Sequence, residues 1–392
     1  AFAFLIGIGG APLFAMSLGE GDGEKAKKIL SNALLALVLV AVSVSAVIFA
    51  AMDPILRVFG ASDKTFPYAK QYLTIYTAGA LFSITAVGLN QFIIAQGYSG
   101  IGMCTTVIGA LANVGLDPLF IYTFGMGVAG AALATILSQF LSFAFVFVFL
   151  LLKNTKIRLS FGGYSAKVIG KMFRLGLSPF LIIATDSIII IISNMMLKTY
   201  GGAEADMWIT VSTVVQAFLS VITMPLLGIS TGTQPVLSYN YGARNIPLIK
   251  KAEKVIVLMG LAFTALMFGL SFPLAAPVSR LFTANEDIVS KAVWGIRIYM
   301  IGIIPLSLQY VFVDGMTALG QPKFAVTLSM TRKMVVYLGS IVFLPMFWGA
   351  EAVFYAEPIA DIFGALLSST VFGIFFPKIL KKREAGPLEI AA

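Results

Sequence analysis

Residues 231–251 read TGTQPVLSYNYGARNIPLIKK, and residues 8–28, lying 223 positions earlier, read IGGAPLFAMSLGEGDGEKAKK. Between the two, Gly9 falls on Gly232, Pro12 on Pro235, Gly19 on Gly242 and Lys27–Lys28 on Lys250–Lys251. The same shift, without a gap, pairs Pro54 with Pro277, Arg57 with Arg280 and Phe59 with Phe282. It also pairs Tyr76 with Tyr299, Gly79 with Gly302 and Gly97 with Gly320. These are turn, kink and loop residues, so the two halves share loop geometry as well as composition. The chain is a tandem repeat.

Composition says what is repeated. The 392 residues are 59% hydrophobic and 11% charged, against roughly 45–50% and about 25% in soluble domains. Such a chain cannot face water all round. Its repeated apolar runs of about twenty residues mark an all-α integral membrane protein rather than a barrel. Eleven spans are expected, near 1–18, 27–50, 68–95, 101–123, 128–152, 169–197, 207–238, 249–276, 288–318, 322–346 and 350–376. An even number of spans separates equivalent positions, so both halves keep one orientation. That is a parallel repeat, the pattern of two pseudo-symmetric lobes about an axis along the membrane normal.

Twenty of the 27 Lys and Arg lie on one alternating set of loops, which the positive-inside rule makes cytoplasmic. Arg332 and Lys333 are awkward, lying ten residues into a span; either that helix projects into the cytoplasm or the pair snorkels. Residue 1 falls on Met224, so the first half has no counterpart of roughly 167–223. The expectation is a parent of two six-helix lobes, with eleven of twelve transmembrane helices present and the first missing. The lobes are read as 1–152 (helices 2–6) and 167–380 (helices 7–12). A cytoplasmic linker over 153–166 joins them, and a cytoplasmic tail runs over 381–392.

Several functions are excluded. The chain has no histidine and one cysteine, Cys104, which removes an internal disulfide, a Cys/His zinc site and His-based catalysis. It is not an enzyme. No basic stretch precedes the apolar run of 1–18, which is read as a span and not as a signal peptide. The glycine patterns GIGGAP and GEGDGE follow no expected strand and no GK[ST] occurs, so they are not phosphate loops. The net charge of +9 reflects cytoplasmic loops, not nucleic-acid binding.

One span stands out by its polar residues, NVGLDPLFIY at 113–122. Asn113 and Asp117 are i and i+4, so a helix projects both from one face. Pro118 has no N–H, which frees the carbonyl of Val114 and weakens the helix there. A carboxylate, an amide and a free carbonyl suit a small hard cation; a desolvated carboxylate alone suits a proton. A charge at mid-membrane costs at least about 2.5 kcal/mol on insertion scales and is functional by default. Interhelical bonding by Asn113 and a packing kink at Pro118 remain the plainer readings of those two residues. Asp186 and Asp314 also lie within spans; each either lines a cavity or pairs with a neighbouring helix. Asn90, Gln91 and Gln309 are cavity-lining amides or interhelical bonds. Thr135, on the span after Asp117, in its plainest reading bonds its own backbone. Glu351 and Glu357 open the last span at positions read as solvated, with Asp361 a turn further on.

TGTQPVLSYNYGARN (231–245), NQFIIAQGYSG (90–100) and NVGLDPLFIYTFGMGVAGAALAT (113–135) resemble the multidrug and toxic compound extrusion (MATE) transporters, in their bacterial and archaeal branches. EPIAD (357–361) is similar to the opening of that family's last helix. The resemblance implies export of lipophilic organic cations in exchange for H+ or Na+ from a multi-pass protein of a bacterial or archaeal cytoplasmic membrane. It places a first-lobe ion site on Asn113, Asp117 and Thr135, with Asn113 and Asp117 as metal ligands if sodium couples, together with an aspartate on helix one. An acidic residue on helix seven serves the second lobe in some members, and Asp186 lies in that helix. No cofactor beyond the coupling ion is expected. The partners expected are small organic cations and membrane lipids, with no nucleic acid, in a monomer. The alternatives are a lipid-linked glycan flippase of the same architecture, which tends to need cavity arginines, and a passive channel or scaffold.

Overall fold

A computed structural model of the chain describes residues 1–58, 63–152 and 155–385, and every regular element among them is helical. Phe59, Lys153 and the tail beyond 385 lie outside the described residues. Two compact units form, Ala1–Gly176 and the chain from Leu177 onward.

The first unit contains α1 (Phe2–Gly19), α2 (Gly23–Ala50), a short α3 (Met52–Val58), α4 (Phe66–Ala78) and α5 (Ala80–Ala95). It continues with α6 (Ser99–Pro118) and α7 (Gly127–Leu151), and ends within α8 (Ala166–Tyr200). Beyond that boundary lie α9 (Ala205–Gly242), α10 (Ile246–Phe282), α11 (Glu286–Ala318), α12 (Pro322–Met330), α13 (Leu338–Trp348) and α14 (Ala356–Ala385). Among the described residues ten helices or helix runs are long and apolar enough to span, or eleven if α4 and α5, bent by 51° at Gly79, are one. These coincide with the eleven apolar windows of the sequence.

The repeat is visible in the backbone. Asp22 caps α2 by accepting from Lys25 N, and Asn245, 223 residues later, caps α10 by accepting from Leu248 N. The residue before each cap has a left-handed φ, +77° at Gly21 and +57° at Arg244. An L side chain rarely adopts that conformation, so the arginine marks how firmly the turn is held. Gly97 and Gly320 are likewise paired, with φ of +90° and +71° just past the ends of α5 and α11.

Each unit has its own apolar core. In the first, Phe14, Leu30, Leu37, Leu89, Phe92, Leu150 and Met172 are fully buried. Here α8 meets α1 backbone to backbone, for a Cβ on Gly176 would stand 1.8 Å from the Leu5 carbonyl oxygen. The segment before α8 is bonded to this unit as well. Ser31 donates to the Gly162 carbonyl (2.8 Å), Asn32 accepts from Ser165 N (2.7 Å) and Gln96 accepts from Ile157 N (2.9 Å). The second unit packs Trp208, Trp294, Tyr299 and Phe354 edge to face beside Ile222, Leu226 and Ile303.

Candidate ion-coupling site

Helix α6 shows two faces. Met103, Val107, Leu111 and Val114 are exposed, whereas Thr105, Gly109, Ala112, Asn113, Leu116 and Asp117 are buried or half-buried. A helix with this spacing presents a covered stripe along i, i+4, i+7, and both polar residues lie in it. The stripe packs on α7. Ser142 donates to the Thr105 carbonyl (3.1 Å), and the site of a Cβ on Gly130 is filled by the backbone of Phe120. That antiparallel register sets Thr135 level with Asn113.

Within this seam Asp117 Oδ1 and Asn113 Nδ2 are buried and have no hydrogen-bond partner. Thr135 donates to the carbonyl of Ala131 one turn back (2.9 Å), leaving its oxygen lone pairs to accept or ligate. At Pro118 the α-helical ladder ends and a π-helical turn, Leu119–Thr123, follows; Phe124 N donates to the Leu119 carbonyl at 3.0 Å. The proline's missing donor thus appears as a change of hydrogen-bond register. Such turns are uncommon and gather at functional sites.

The other in-span residues are placed elsewhere. Asn90 donates to the Gly102 carbonyl (3.2 Å), an interhelical bond. Gln91 is half-buried, its Cγ in the space a Cβ on Gly7 would need. Gln309 is buried, with its Oε1 against Gly364 of α14 and without a partner. Asp186 pairs with Lys333, and Asp314 bonds Ser230, so both acids take the neighbouring-helix option.

Two sequence expectations are corrected here. Arg332 and Lys333 neither snorkel nor leave the bundle; they lie on a π-helical segment, Thr331–Tyr337, with side chains 7% and 8% exposed. Arg332 donates to Asp361 and, at 3.3 Å, to Glu357, while Lys333 reaches Asp186 and the Ile182 carbonyl (3.2 Å). Glu357 is not solvated either. It is buried, as is Asp361. The physical reason is mutual neutralisation, since Glu357, Asp361 and the two bases are far cheaper to bury beside opposite charge than singly, the half-exposed Asp186 supplying the charge opposite Lys333. Glu351, by contrast, is exposed.

Glu253 was not singled out from the sequence at all. It stands among Lys250, Lys251 and Lys254, which are exposed, yet it is 5% exposed. The signal was periodicity: Ile249, Glu253, Ile256 and Gly260 form one buried stripe of α10.

Ten or eleven candidate spans among the described residues, with acids held inside them, make this a multi-pass membrane protein. The MatE family model matches residues 1–119 and 180–342, and the chain belongs to that family of transporters, which are not enzymes. The multidrug export protein MepA of Staphylococcus aureus is 25% identical over 374 residues, covering 94% of this chain and 80% of that protein. Its counterpart in Staphylococcus haemolyticus is 26% identical over 376 residues, with the same coverage. The fold matches the solved outward-facing structure of a multidrug resistance MATE family transporter of the MOP superfamily. That match has a TM-score of 0.90 at 24% identity and covers 97% of this chain and 85% of that one.

Proposed function

We propose that the chain is a secondary active multidrug exporter that antiports lipophilic organic cations against H+ or Na+, with Asp117 as the coupling carboxylate. One observation carries the assignment of the site: Asp117 Oδ1 and Asn113 Nδ2 are buried in a membrane span and left without partners. Buried polar atoms are normally paired; the unpaired carboxylate oxygen is an acceptor open to a cation, and the Asn113 amide turned over would present its oxygen beside it. Drug export is supported by what the MepA proteins are called and by the shared family.

When Asp117 is ionised, its negative charge holds a cationic drug nearby. Uptake of H+ or Na+ at Asp117, with Asn113 and Thr135 as neutral oxygen ligands in the sodium case, cancels that attraction. The α6 backbone, already weakened at Pro118, then shifts, and the drug leaves on the far side. Binding has to differ between the two arrangements, since an ion with equal affinity for both moves nothing. The two units alternate access in the cytoplasmic membrane of a bacterium or archaeon, and the protein works as a monomer.

A lipid-linked glycan flippase is the second reading, favoured by the buried bases Arg332 and Lys333. Both are already committed to carboxylates, so neither is spare for a diphosphate. Dye efflux from proteoliposomes under separately imposed pH and sodium gradients tests the proposal. Efflux driven by either gradient is expected; no ion-driven efflux, or transport of a glycolipid instead, would overturn it.

A further inference from the structure

A second group of acids belongs to the other unit, where α9, α10 and α11 pack together. Asp314 on α11 is hydrogen-bonded to Ser230 on α9. Glu253 on α10 lies against the next residue of α11, since a Cβ on Gly315 would stand 3.2 and 3.4 Å from its two carboxyl oxygens. Both of those oxygens are buried and have no hydrogen-bond partner. Among the described residues the ionisable group that acts on Glu253 is Asp314. From α9 the neighbours are Ser230 and the buried amide Gln234, one turn on; from α14 it is Phe372, against Gly315. On α10 itself Lys250, Lys251 and Lys254 are exposed.

Hydrogen counting says what this group lacks. The Ser230 hydroxyl lies within bonding reach of both Asp314 Oδ2 and the Tyr310 carbonyl (3.0 Å). It has one hydrogen and cannot satisfy two acceptors. Both contacts are made if Asp314 carries a proton, donates it to Ser230 Oγ and lets Ser230 donate to Tyr310. An ionised Glu253 with neither base nor donor bonded to it would bear a large desolvation cost, which protonation removes.

The repeat shows that the fold does not require these acids. Shifted back by 223 residues, Glu253 becomes Leu30 and Asp314 becomes Gln91, while Ser230 becomes Gly7. Leu30 is fully buried, and Gln91 sits against Gly7. The first unit therefore fills the same place with an apolar side chain and an amide.

We propose that Glu253 and Asp314 form a proton-binding site of the second unit, a carboxyl pair whose ligand is H+ and which is separate from the Asn113–Asp117 patch. Glu253 lies against the residue next to Asp314 and Asp314 is the ionisable group whose charge reaches it, while Ser230 passes the hydrogen bond on to the α11 backbone.

Infrared difference spectroscopy of the purified protein across a pH titration tests this without any transport assay, so its outcome is independent of the role given to Asp117. A protonated-carboxyl carbonyl band is expected that disappears as pH rises. Glu253→Gln or Asp314→Asn should remove or shift it, whereas Asp117→Asn should leave it in place. The double variant Glu253→Leu with Asp314→Gln copies the first unit's residues and should fold with wild-type thermal stability while taking up fewer protons than wild type on titration. Spectra of Glu253→Gln that superimpose on wild type would overturn the proposal, as would a band that responds to added Na+ at constant pH.

Discussion

Two of the polar regions of the spans solve one problem in opposite ways. Around Arg332 every buried charge has a partner of opposite sign on another helix, with Glu357 and Asp361 from α14 and Asp186 from α8. Around Asp117 there is an acid, an amide and a hydroxyl but no base, and the acid and the amide each keep a buried atom unbonded. A charge paired within the protein is spoken for; its removal damages the fold. A charge left unpaired contributes little to the fold and stays available to an ion from solution. Number of acids, then, is a poor guide to function inside a membrane, and the state of their partners is a better one.

That contrast can be broken by stability measurements. The largest effect is expected at Arg332→Met, which strands two buried carboxylates and should cost about 3–5 kcal/mol, the usual loss when one partner of a buried pair is removed. Thermal unfolding in detergent would register it. Adding Glu357→Gln and Asp361→Asn to Arg332→Met removes the stranded charges and should recover stability to within about 1–2 kcal/mol of wild type. Asp117→Asn should change stability by less than about 1 kcal/mol, because no intramolecular hydrogen bond is lost. A loss as large as that of Arg332→Met would mean that Asp117 is a structural charge after all. The smallest change is expected for Thr135→Val, whose hydroxyl bonds only its own helix; stability should stay within about 0.5 kcal/mol, while sodium-driven efflux, if sodium couples, should fall.

Much of the architecture was legible in the sequence, because hydrophobic length and turn residues are local properties. Gly97 and Gly320 are the clearest case: a shift of 223 residues pairs them in the sequence, and both take a left-handed φ just past a helix end. The face shared by Asn113 and Asp117 follows from helical spacing alone, and α6 bears it out. Pairing over long separations is what sequence could not supply. Arg332 meets Glu357 and Asp361 only 25 and 29 residues on, but Lys333 meets Asp186 across 147. Without those partners a buried base looks like one that must reach for water. Glu253 was hidden by its lysine neighbours, although its place in the apolar stripe of α10 marked it as buried.

The most direct test of the central claim is ion-driven export by Asp117→Asn, compared with wild type in proteoliposomes at matched folding and reconstitution. Loss of gradient-driven drug efflux, with drug binding and thermal stability retained, is the expected result. Efflux as fast as wild type under the same gradient would contradict it and move the coupling step to another residue.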